Sequence, residues 1–169
     1  MAVWHPVYIA IGSNLGDPRA NVLMAVEKLR ALAPKLRVVR VSPLYRTKPF
    51  GPVPQGDFIN GMVGALTQLD PQALLKETQA IEAALGRPEK RERWGPRVID
   101  LDLVVYGRER RDEPNLKLPH PGIVERNFVL YPLADIAPDL DVPGLGRVAE
   151  LKERVAHAGI WPLQPPRSA

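Results

Sequence analysis

The sequence predicts an α+β fold in which one antiparallel sheet carries helices on both faces. Apolar, β-prone segments and amphipathic helical segments follow one another in the order strand, helix, strand, strand, helix, strand. Both helical segments open with Asp-Pro, which supplies a capping carboxylate and a favourable first helical residue. At 169 residues, with 45% hydrophobic and 25% charged, the chain has the size and composition of one globular domain.

The first strand is the apolar run Val7–Ile11, which ends at Gly12. Asp17 caps the first helix, and Pro34 ends it. Its apolar residues recur at helical spacing, at Val22, Ala25, Val26, Leu29 and Leu32. We expect this stripe to lie on the sheet, because a helix beside a sheet buries one face.

Three later segments have the β-branched, apolar character of strands: Leu36–Tyr45, Phe58–Thr67 and Val98–Tyr106. Between the last two lies the second helix, which begins after Asp70 and ends at Gly86. Its predicted buried stripe is Leu74, Thr78, Ile81 and Leu85. This order is that of the split βαβ motif, so the sequence predicts a ferredoxin-like βαββαβ core.

Residues after Pro119 are predicted to add helical pieces at Asn127–Ile136 and Val148–His157, which would cover the second face of the sheet. Residues 161–169 contain three prolines and are predicted to be a loosely held tail. We therefore expect a single domain over residues 1–169, with its core at about 7–138.

Composition excludes several classes of function. The chain has no cysteine and three histidines, so disulfide frameworks, zinc knuckles, iron–sulfur clusters and thiol nucleophiles are ruled out. No apolar run approaches the ~20 residues of a membrane-spanning helix, and no secretory leader precedes the first strand, so we expect a cytoplasmic protein. The net charge of +4 favours acidic or phosphorylated partners only weakly.

Two connections are long for so small a core. Residues 46–57 separate the second and third strands, and residues 87–97 separate the second helix from the fourth strand. Long connections in compact domains are often functional, although some are only exposed and tolerated.

The strongest local signal is an acidic pair inside the fourth strand. Side chains alternate along a strand, so Asp100 and Asp102 share one face while Leu101 points to the other. Two half-buried carboxylates repel each other and need a cation, and Mg²⁺ or Mn²⁺ suits a site of oxygen ligands. The alternatives are charges that protect an edge strand from unwanted pairing, or an ordinary salt bridge to Arg93 or Arg97.

A basic stretch leads into this acidic pair and contains Arg87, Lys90, Arg91, Arg93 and Arg97. Guanidinium groups bind phosphate oxygens through two hydrogen bonds at once, so the combination is typical of polyphosphate transfer. The alternative is a solvated charged loop with weak local ion pairs.

Aromatic residues at the borders of the long connections indicate a pocket for a flat ligand. Phe58, Trp94 and Phe128 are candidates to stack on a heteroaromatic ring, and Asn60 lies on the same strand face as Phe58. Such residues are also common in hydrophobic cores. The turn Gly12–Asp17 lacks the lysine of a phosphate-binding P-loop, so we interpret it as a turn and helix cap that could help to position a ligand.

Together these segments resemble the 6-hydroxymethyl-7,8-dihydropterin pyrophosphokinase family of folate biosynthesis. The resemblance covers about residues 7–138 and rests on Ile9–Gly16, Tyr45–Thr47, Gly51-Pro52, Asp57–Asn60, Gly86-Arg87, Glu92–Arg97, Ile99–Asp102, Leu118–Pro121 and Arg126–Phe128. The string from Glu92 to Asp102 is the most specific of these motifs.

The resemblance implies transfer of the β,γ-pyrophosphate of ATP to the hydroxymethyl group of the pterin, with release of AMP. It implies that Asp100 and Asp102 hold two Mg²⁺ ions and that Arg93 and Arg97 come from a loop that closes over the phosphates. The implied pterin-binding residues are Thr47, Phe50, Phe58, Asn60, Trp94 and Phe128. The implied ATP-binding residues are Gln79, Glu82, Arg87, Arg93, Arg97, His120 and Arg126.

The chain departs from the family pattern at Lys48, Glu89, Asn115, Lys117 and Pro121, positions that bear on loop stiffness and nucleotide contacts. Two other functions are compatible with a ferredoxin-like fold: an RNA-binding module and a catalytically silent domain. We expect neither, because the third strand lacks the aromatic signature of RNA-recognition domains and every metal and pterin position has a candidate. We expect a monomer that binds small molecules but neither nucleic acid nor membrane.

Overall fold

The computed structural model describes residues 3–86 and 95–163. The strands of the main sheet are β1 (His5–Ser13), β2 (Leu36–Val41), β3 (Tyr45–Thr47), β4 (Phe58–Thr67), β5 (Asp100–Tyr106) and, after two small hairpins, β10 (Ile160–Pro162). The hairpin strands are β6 (Arg111–Glu113), β7 (Leu116–Leu118), β8 (Asp141–Val142) and β9 (Gly146–Arg147). The helices are α1 (Pro18–Arg30), α2 (Pro71–Ala84), α3 (Asn127–Ile136) and α4 (Val148–Arg154), with a 3₁₀ turn at Ile123–Glu125.

The main sheet has six strands in the order β10-β3-β4-β1-β5, with β2 also paired to β4. All of the pairings are antiparallel. Helices α1 and α2 pack on one face around Ile9, Ile11 and Leu101, whereas α3 and α4 pack on the other around Met62 and Val105. The predicted α+β, ferredoxin-like fold with helices on both faces is therefore confirmed.

The helix starts follow from the Asp-Pro pairs. Asp17 accepts a hydrogen bond from the amide of Ala20 at 3.1 Å, and Asp70 accepts one from the amide of Ala73 at 2.8 Å. Gly86, two residues past the end of α2, has a φ of +95°, a conformation that favours glycine. These caps fix where α2 begins and ends beside β5.

The prediction of one continuous strand over Leu36–Tyr45 is wrong, because the segment divides into β2 and β3. Pro43 has no amide hydrogen to donate to a ladder, and it interrupts the strand. The hydroxyl of Ser42 instead accepts a hydrogen bond from the amide of Met62 at 2.8 Å. Both halves still pair with β4, so the break preserves the order of the sheet.

The carboxyl-terminal region also differs from expectation. The last helix ends at Arg154 rather than at His157, and the fourth strand of the core begins at Asp100 rather than at Val98. The expected loose tail is wrong for Trp161 and Pro162, which belong to β10 and pair with β3. The guanidinium of Arg46 lies 4.6 Å from the centre of the Trp161 ring, which helps to hold this edge strand. Residues 164–169 lie outside the described part of the chain.

None of the helices within residues 3–86 and 95–163 has the length and hydropathy that crossing a bilayer requires.

Candidate active site

The strand register brings residues from three strands into one row across the sheet. Gly12 on β1 lies opposite Asn60 on β4 and, on its other side, opposite Asp100 on β5. In the adjoining positions, Thr47 on β3 pairs with Phe58. Residues paired across strands point to the same face, so the amide of Asn60 and the acid of Asp100 flank the single small residue between them.

A pocket of about 330 Å³ opens on this face, beside the start of α3. Ten residues singled out from the sequence line it: Thr47, Phe50, Phe58, Asn60, Arg97, Asp100, Asp102, His120, Arg126 and Phe128. They come from β3, β4, β5, both long connections, the segment before α3 and the first turn of α3. Amide and aromatic groups gather near β3 and β4, whereas the acids lie on β5.

The acidic pair has the predicted geometry. Asp100 and Asp102 are half-buried and both line the pocket, whereas Leu101 and Leu103 between and after them are buried in the α1/α2 core. The guanidinium Nε of Arg97 lies 3.5 Å from Oδ2 of Asp100. The salt-bridge alternative is thus part of the arrangement, and it supplies positive charge beside the two acids.

Arg97 is itself held in place at the pocket wall. Its side chain is only 11% exposed, and its guanidinium donates to the carbonyl of Gly95 at 2.8 Å. Partly buried ion pairs of this kind are screened by salt less than exposed ones.

The donor set of the acidic pair fits a hard divalent cation. Two neighbouring carboxylates provide oxygen ligands, but too few to fill an octahedral shell, so Mg²⁺ there would take further ligands from water and phosphate. In the described residues there is no group of three or more His, Asp or Glu side chains arranged around a common metal position. Asp100 and Asp102 are the two carboxylates among the described residues that line the pocket, and they would hold such an ion.

The orientation of the Asn60 amide is fixed by two contacts. Its Nδ2 donates to Oγ1 of Thr47 at 2.6 Å, and both residues are buried. Its Oδ1 lies so close to Gly12 that a Cβ placed there would be 2.5 Å away. Gly12 therefore has no room for a side chain, and Asn60 presents a fixed hydrogen-bonding edge.

Aromatic rings and a guanidinium form the opposite wall. The ring centres of Phe50 and Phe128 are 5.9 Å apart. The guanidinium carbon of Arg126 lies 5.5 Å from the centre of the Phe50 ring and 5.8 Å from that of Phe128. This wall combines flat apolar surface with a positive charge.

His120 contributes a neutral imidazole. Burial, with a smaller contribution from the positive charge of Arg126, lowers the pKa of His120 to about 4. Its Nδ1 accepts a hydrogen bond from the amide of Gly122 at 3.0 Å. The proton of the neutral ring therefore resides on Nε2, which is available as a hydrogen-bond donor.

Asn14 joins the two long connections. Its Nδ2 donates to Oε1 of Gln55 at 2.8 Å and to the carbonyl of Gly56 at 3.0 Å. Its Oδ1 accepts from the amide of Arg97 at 2.7 Å, and its own amide donates to the carbonyl of Arg97 at 2.9 Å. The turn after β1, interpreted from sequence as a turn and cap, thus also ties both walls of the pocket together.

Some predicted site residues are placed elsewhere or not described. Gln79 is exposed on α2, and Glu82 on the same helix is buried, with its carboxylate accepting from the amide of Leu101 at 2.9 Å. Neither lines the pocket. Three further predicted residues, Arg87, Arg93 and Trp94, lie outside the described residues, as does Glu89.

The structure also describes four of the residues that depart from the family pattern. Lys48 lines the pocket, and its amide donates to the carbonyl of Gly159 at 2.9 Å. Asn115 exchanges hydrogen bonds with Gln72, Lys117 forms an ion pair with Asp112, and Pro121 is exposed.

Six further lining residues were not predicted as site residues: Ala10, Ile11, Gly12, Lys48, Gly95 and Val129. Two of them form a pattern across the strands. Ala10 lies opposite Asp102 and Gly12 opposite Asp100, so small residues at alternating positions of β1 leave the space above the acids open. Finding them needs the strand register, which the sequence alone does not provide.

Comparison with known proteins gives a family match. Residues 8–138 match the family model described as 7,8-dihydro-6-hydroxymethylpterin-pyrophosphokinase. The protein named 2-amino-4-hydroxy-6-hydroxymethyldihydropteridine pyrophosphokinase from Pseudomonas aeruginosa is 46% identical over 154 residues, covering 91% of this chain and 94% of the relative. The protein of the same name from Methylorubrum extorquens is 49% identical over 137 residues, covering 81% of this chain and 85% of the relative.

Solved structures give a fold match. A Plasmodium falciparum HPPK-DHPS crystal structure with pteroate superposes with a TM-score of 0.68 at 14% identity. The match covers 90% of this chain and 43% of that one, so the chain spans less than half the length of that protein. At this identity the likeness shows a common fold.

Proposed function

Because this chain belongs to the 7,8-dihydro-6-hydroxymethylpterin-pyrophosphokinase family and has its activity, pyrophosphoryl transfer to the hydroxymethyl pterin in folate biosynthesis, we propose how its pocket performs that transfer. We propose that ATP is the donor and AMP the product. The observation that carries the proposal is the row Asn60, Gly12, Asp100, which joins a ring-binding half of the pocket to an acidic half.

The pterin ring binds in the half formed by β3, β4 and the start of α3. Phe58 and Phe128 provide the stacking faces, and Phe50 and Thr47 complete the wall. Asn60 recognises the hydrogen-bonding edge of the ring, since its amide is held by Thr47 before any ligand arrives. A side chain fixed in advance loses little entropy on binding. Trp94 is the further proposed pterin contact, outside the described residues.

The triphosphate lies toward β5. Asp100 and Asp102 are the proposed ligands of two Mg²⁺ ions, which would supply positive charge to neutralise the phosphates. Without a cation, the two carboxylates would repel the phosphates that they have to face.

Besides pairing with Asp100, Arg97 is proposed to bind the phosphates. Its Nε lies 3.5 Å from Asp100, and from this position its guanidinium is close enough to engage phosphate oxygens of a bound nucleotide. Arg126 and the Nε2–H of His120 supply further hydrogen-bond donors at the pocket wall. The proposed roles of Gln79, Arg87 and Arg93 in nucleotide binding stay predictions.

The chemical step is a substitution at the β-phosphorus. The hydroxymethyl oxygen bonds to that phosphorus, the bond from it to the oxygen shared with the α-phosphate breaks, and AMP leaves with that oxygen. The hydroxyl proton passes to solvent. Alignment and charge neutralisation provide most of the catalysis in such transfers, so a strong dedicated base is unnecessary.

We further propose that the protein acts as a cytoplasmic monomer on small molecules and does not bind nucleic acid. A pocket whose floor is a carboxylate pair repels bare phosphate backbones, which argues against the RNA-binding alternative.

The test is a product assay. Purified protein is incubated with ATP, Mg²⁺ and 6-hydroxymethyl-7,8-dihydropterin, and nucleotides and pterins are separated over time. We expect AMP and the pterin diphosphate to appear in equal amounts. Formation of ADP with a pterin monophosphate would contradict the proposed bond cleavage, and no pterin-dependent turnover would support the catalytically silent alternative.

A further inference from the structure

We propose that Glu82 is a positioning residue for the acidic pair: its buried carboxylate holds the edge strand β5 at Leu101, the residue between Asp100 and Asp102. The inference rests on the proposed function of those two acids. It assigns Glu82 a different task from the nucleotide contact that the family resemblance implies.

Within residues 3–86 and 95–163, the strand that carries the acids has one strand neighbour in the main sheet. β5 is the last strand in the sheet order there, and it pairs with β1. Backbone amides alternate in direction along a strand, so every second one points toward β1 and the others point to the open edge. An edge strand with open amides is less constrained than a central one, which is unfavourable for a site that needs fixed ligands.

Glu82 closes this edge between the two acids. Its Oε2 accepts a hydrogen bond from the amide of Leu101 at 2.9 Å, and the Glu82 side chain comes from α2 on the face opposite the pocket. The amide of Leu101 therefore points away from β1. The flanking residues Asp100 and Asp102 have their backbone groups directed to β1 instead.

This contact is buried. Glu82 is 6% exposed, and a hydrogen bond to a buried carboxylate is stronger than one exposed to water. A second contact lies further along the same edge, where the amide of His120 donates to the carbonyl of Val104 at 2.9 Å. The two contacts hold β5 from outside, one of them directly behind the acids.

The consequence for the pocket is geometric. A rotation of the backbone at Leu101 displaces the carboxylates on both sides of it, whereas the pterin half on β3 and β4 is not attached to this strand edge. Loss of the Glu82 contact should therefore weaken metal–nucleotide binding and turnover and leave pterin affinity nearly unchanged.

Two variants separate a positioning role from a direct charge effect. Glu82→Gln keeps an amide oxygen that can accept from Leu101 but has no charge, whereas Glu82→Leu has similar bulk and no acceptor. The matched control is Glu77→Leu, the same substitution at a less buried position on the same helix.

The first measurement is amide hydrogen exchange at Leu101 in the free protein, followed by NMR. We expect exchange at Leu101 to be faster by about tenfold or more in Glu82→Leu, and close to wild type in Glu82→Gln and Glu77→Leu. Unchanged exchange at Leu101 in Glu82→Leu would overturn the proposal. Should Glu82→Leu fail to fold, exchange faster by a similar factor in Glu82→Gln would overturn it, and wild-type exchange there would support it.

The second measurement is binding of Mn²⁺ with a non-hydrolysable ATP analogue, detected by electron paramagnetic resonance, alongside pterin binding detected by fluorescence. We expect Mn²⁺ binding in the presence of nucleotide to weaken by about tenfold in Glu82→Leu, with pterin binding within about twofold of wild type. An equal loss in Glu82→Gln would overturn the proposal in favour of a charge effect. Absence of Mn²⁺ binding by the wild-type protein would instead contradict the proposed function, which the exchange experiment does not depend on.

Discussion

At the residue scale, the pocket depends on the missing side chain of Gly12. The Oδ1 of Asn60 lies over its Cα, and Asp100 lies on its other side. A glycine at the end of an apolar strand is easily interpreted as a turn signal, as the sequence suggested here. The structure shows instead that the side chain of Asn60 occupies the space that a side chain at this position would need.

Gly12→Ala is expected to impair pterin binding. The new methyl group would lie 2.5 Å from Oδ1 of Asn60, so the amide must move and its hydrogen bond with Thr47 is strained. We expect the KM for the pterin to rise by about tenfold or more, consistent with loss of one hydrogen-bonded contact. Steady-state kinetics at varied pterin concentration measures this.

The matched control is Gly56→Ala, because a Cβ at Gly56 has no atom within 4 Å. An unchanged pterin KM in Gly12→Ala would show that Asn60 does not recognise the ring in the orientation described.

His120 gives a pH dependence of stability with a defined sign. Its pKa is lowered to about 4 in the folded protein against about 6.5 in the unfolded chain, so between these values the unfolded chain binds more protons. The free energy of unfolding should therefore fall as the pH drops from about 6.5 to 4, by up to about 3 kcal/mol from this residue.

Urea unfolding at several pH values, compared between wild type and His120→Gln, measures the effect. We expect a smaller loss of stability on acidification in the variant, with the exposed His157→Gln as the control. Equal acid sensitivity in wild type and His120→Gln would mean that His120 is not held neutral by its surroundings.

At the scale of elements, the helices were the most predictable part of the fold. Each Asp-Pro pair encodes its own cap locally, and α3 occupies the predicted range Asn127–Ile136. The division of the second strand at Pro43 was not predicted. The pattern of apolar residues runs across it, and only the pairing with β4 shows that both halves belong to one edge of that strand.

Asn14 links Gln55 and Gly56 to Arg97 through hydrogen bonds. We expect Asn14→Ala to raise the KM for both substrates and to lower kcat, since the amide holds residues 55–56 and Arg97 at the same time. Steady-state kinetics with each substrate varied in turn checks this.

Asp70→Ala serves as the stability control for Asn14→Ala. Removing the cap of α2 costs about 1 kcal/mol without a contact to either connection. If Asn14→Ala changed kinetics no more than Asp70→Ala does, the connections would not be coupled through this residue.

At the scale of the whole molecule, the fold class, the acidic pair and most of the pocket lining were predictable from the sequence. These could be predicted because alternation along a strand and capping at helix ends are local rules. The row of residues through Gly12 and the contact of Glu82 with Leu101 could not be predicted. Both depend on register between segments that are far apart in the chain, which no local pattern encodes.

The arrangement also explains why one face of the sheet can be functional. The face covered by α1 and α2 is closed by apolar packing, including Leu101 and Leu103 behind the acids. On the other face, α3 and α4 cover the end of the sheet around Met62 and Val105 and leave the end near Gly12 open. The strands thus carry a stable core on one side and the pocket on the other.

The proposed transfer depends most directly on the acidic pair, and the decisive measurement is the rate of pterin-dependent AMP formation by Asp100→Asn and Asp102→Asn at saturating Mg²⁺ and substrates. We predict a fall of at least about a hundredfold in each, or about 2.7 kcal/mol in the activation barrier, with native folding retained. The control Asp139→Asn, an exposed acid paired with Arg147, should keep the wild-type rate. Rates near wild type in either Asp100→Asn or Asp102→Asn would contradict the claim that these two carboxylates carry the metal-assisted transfer.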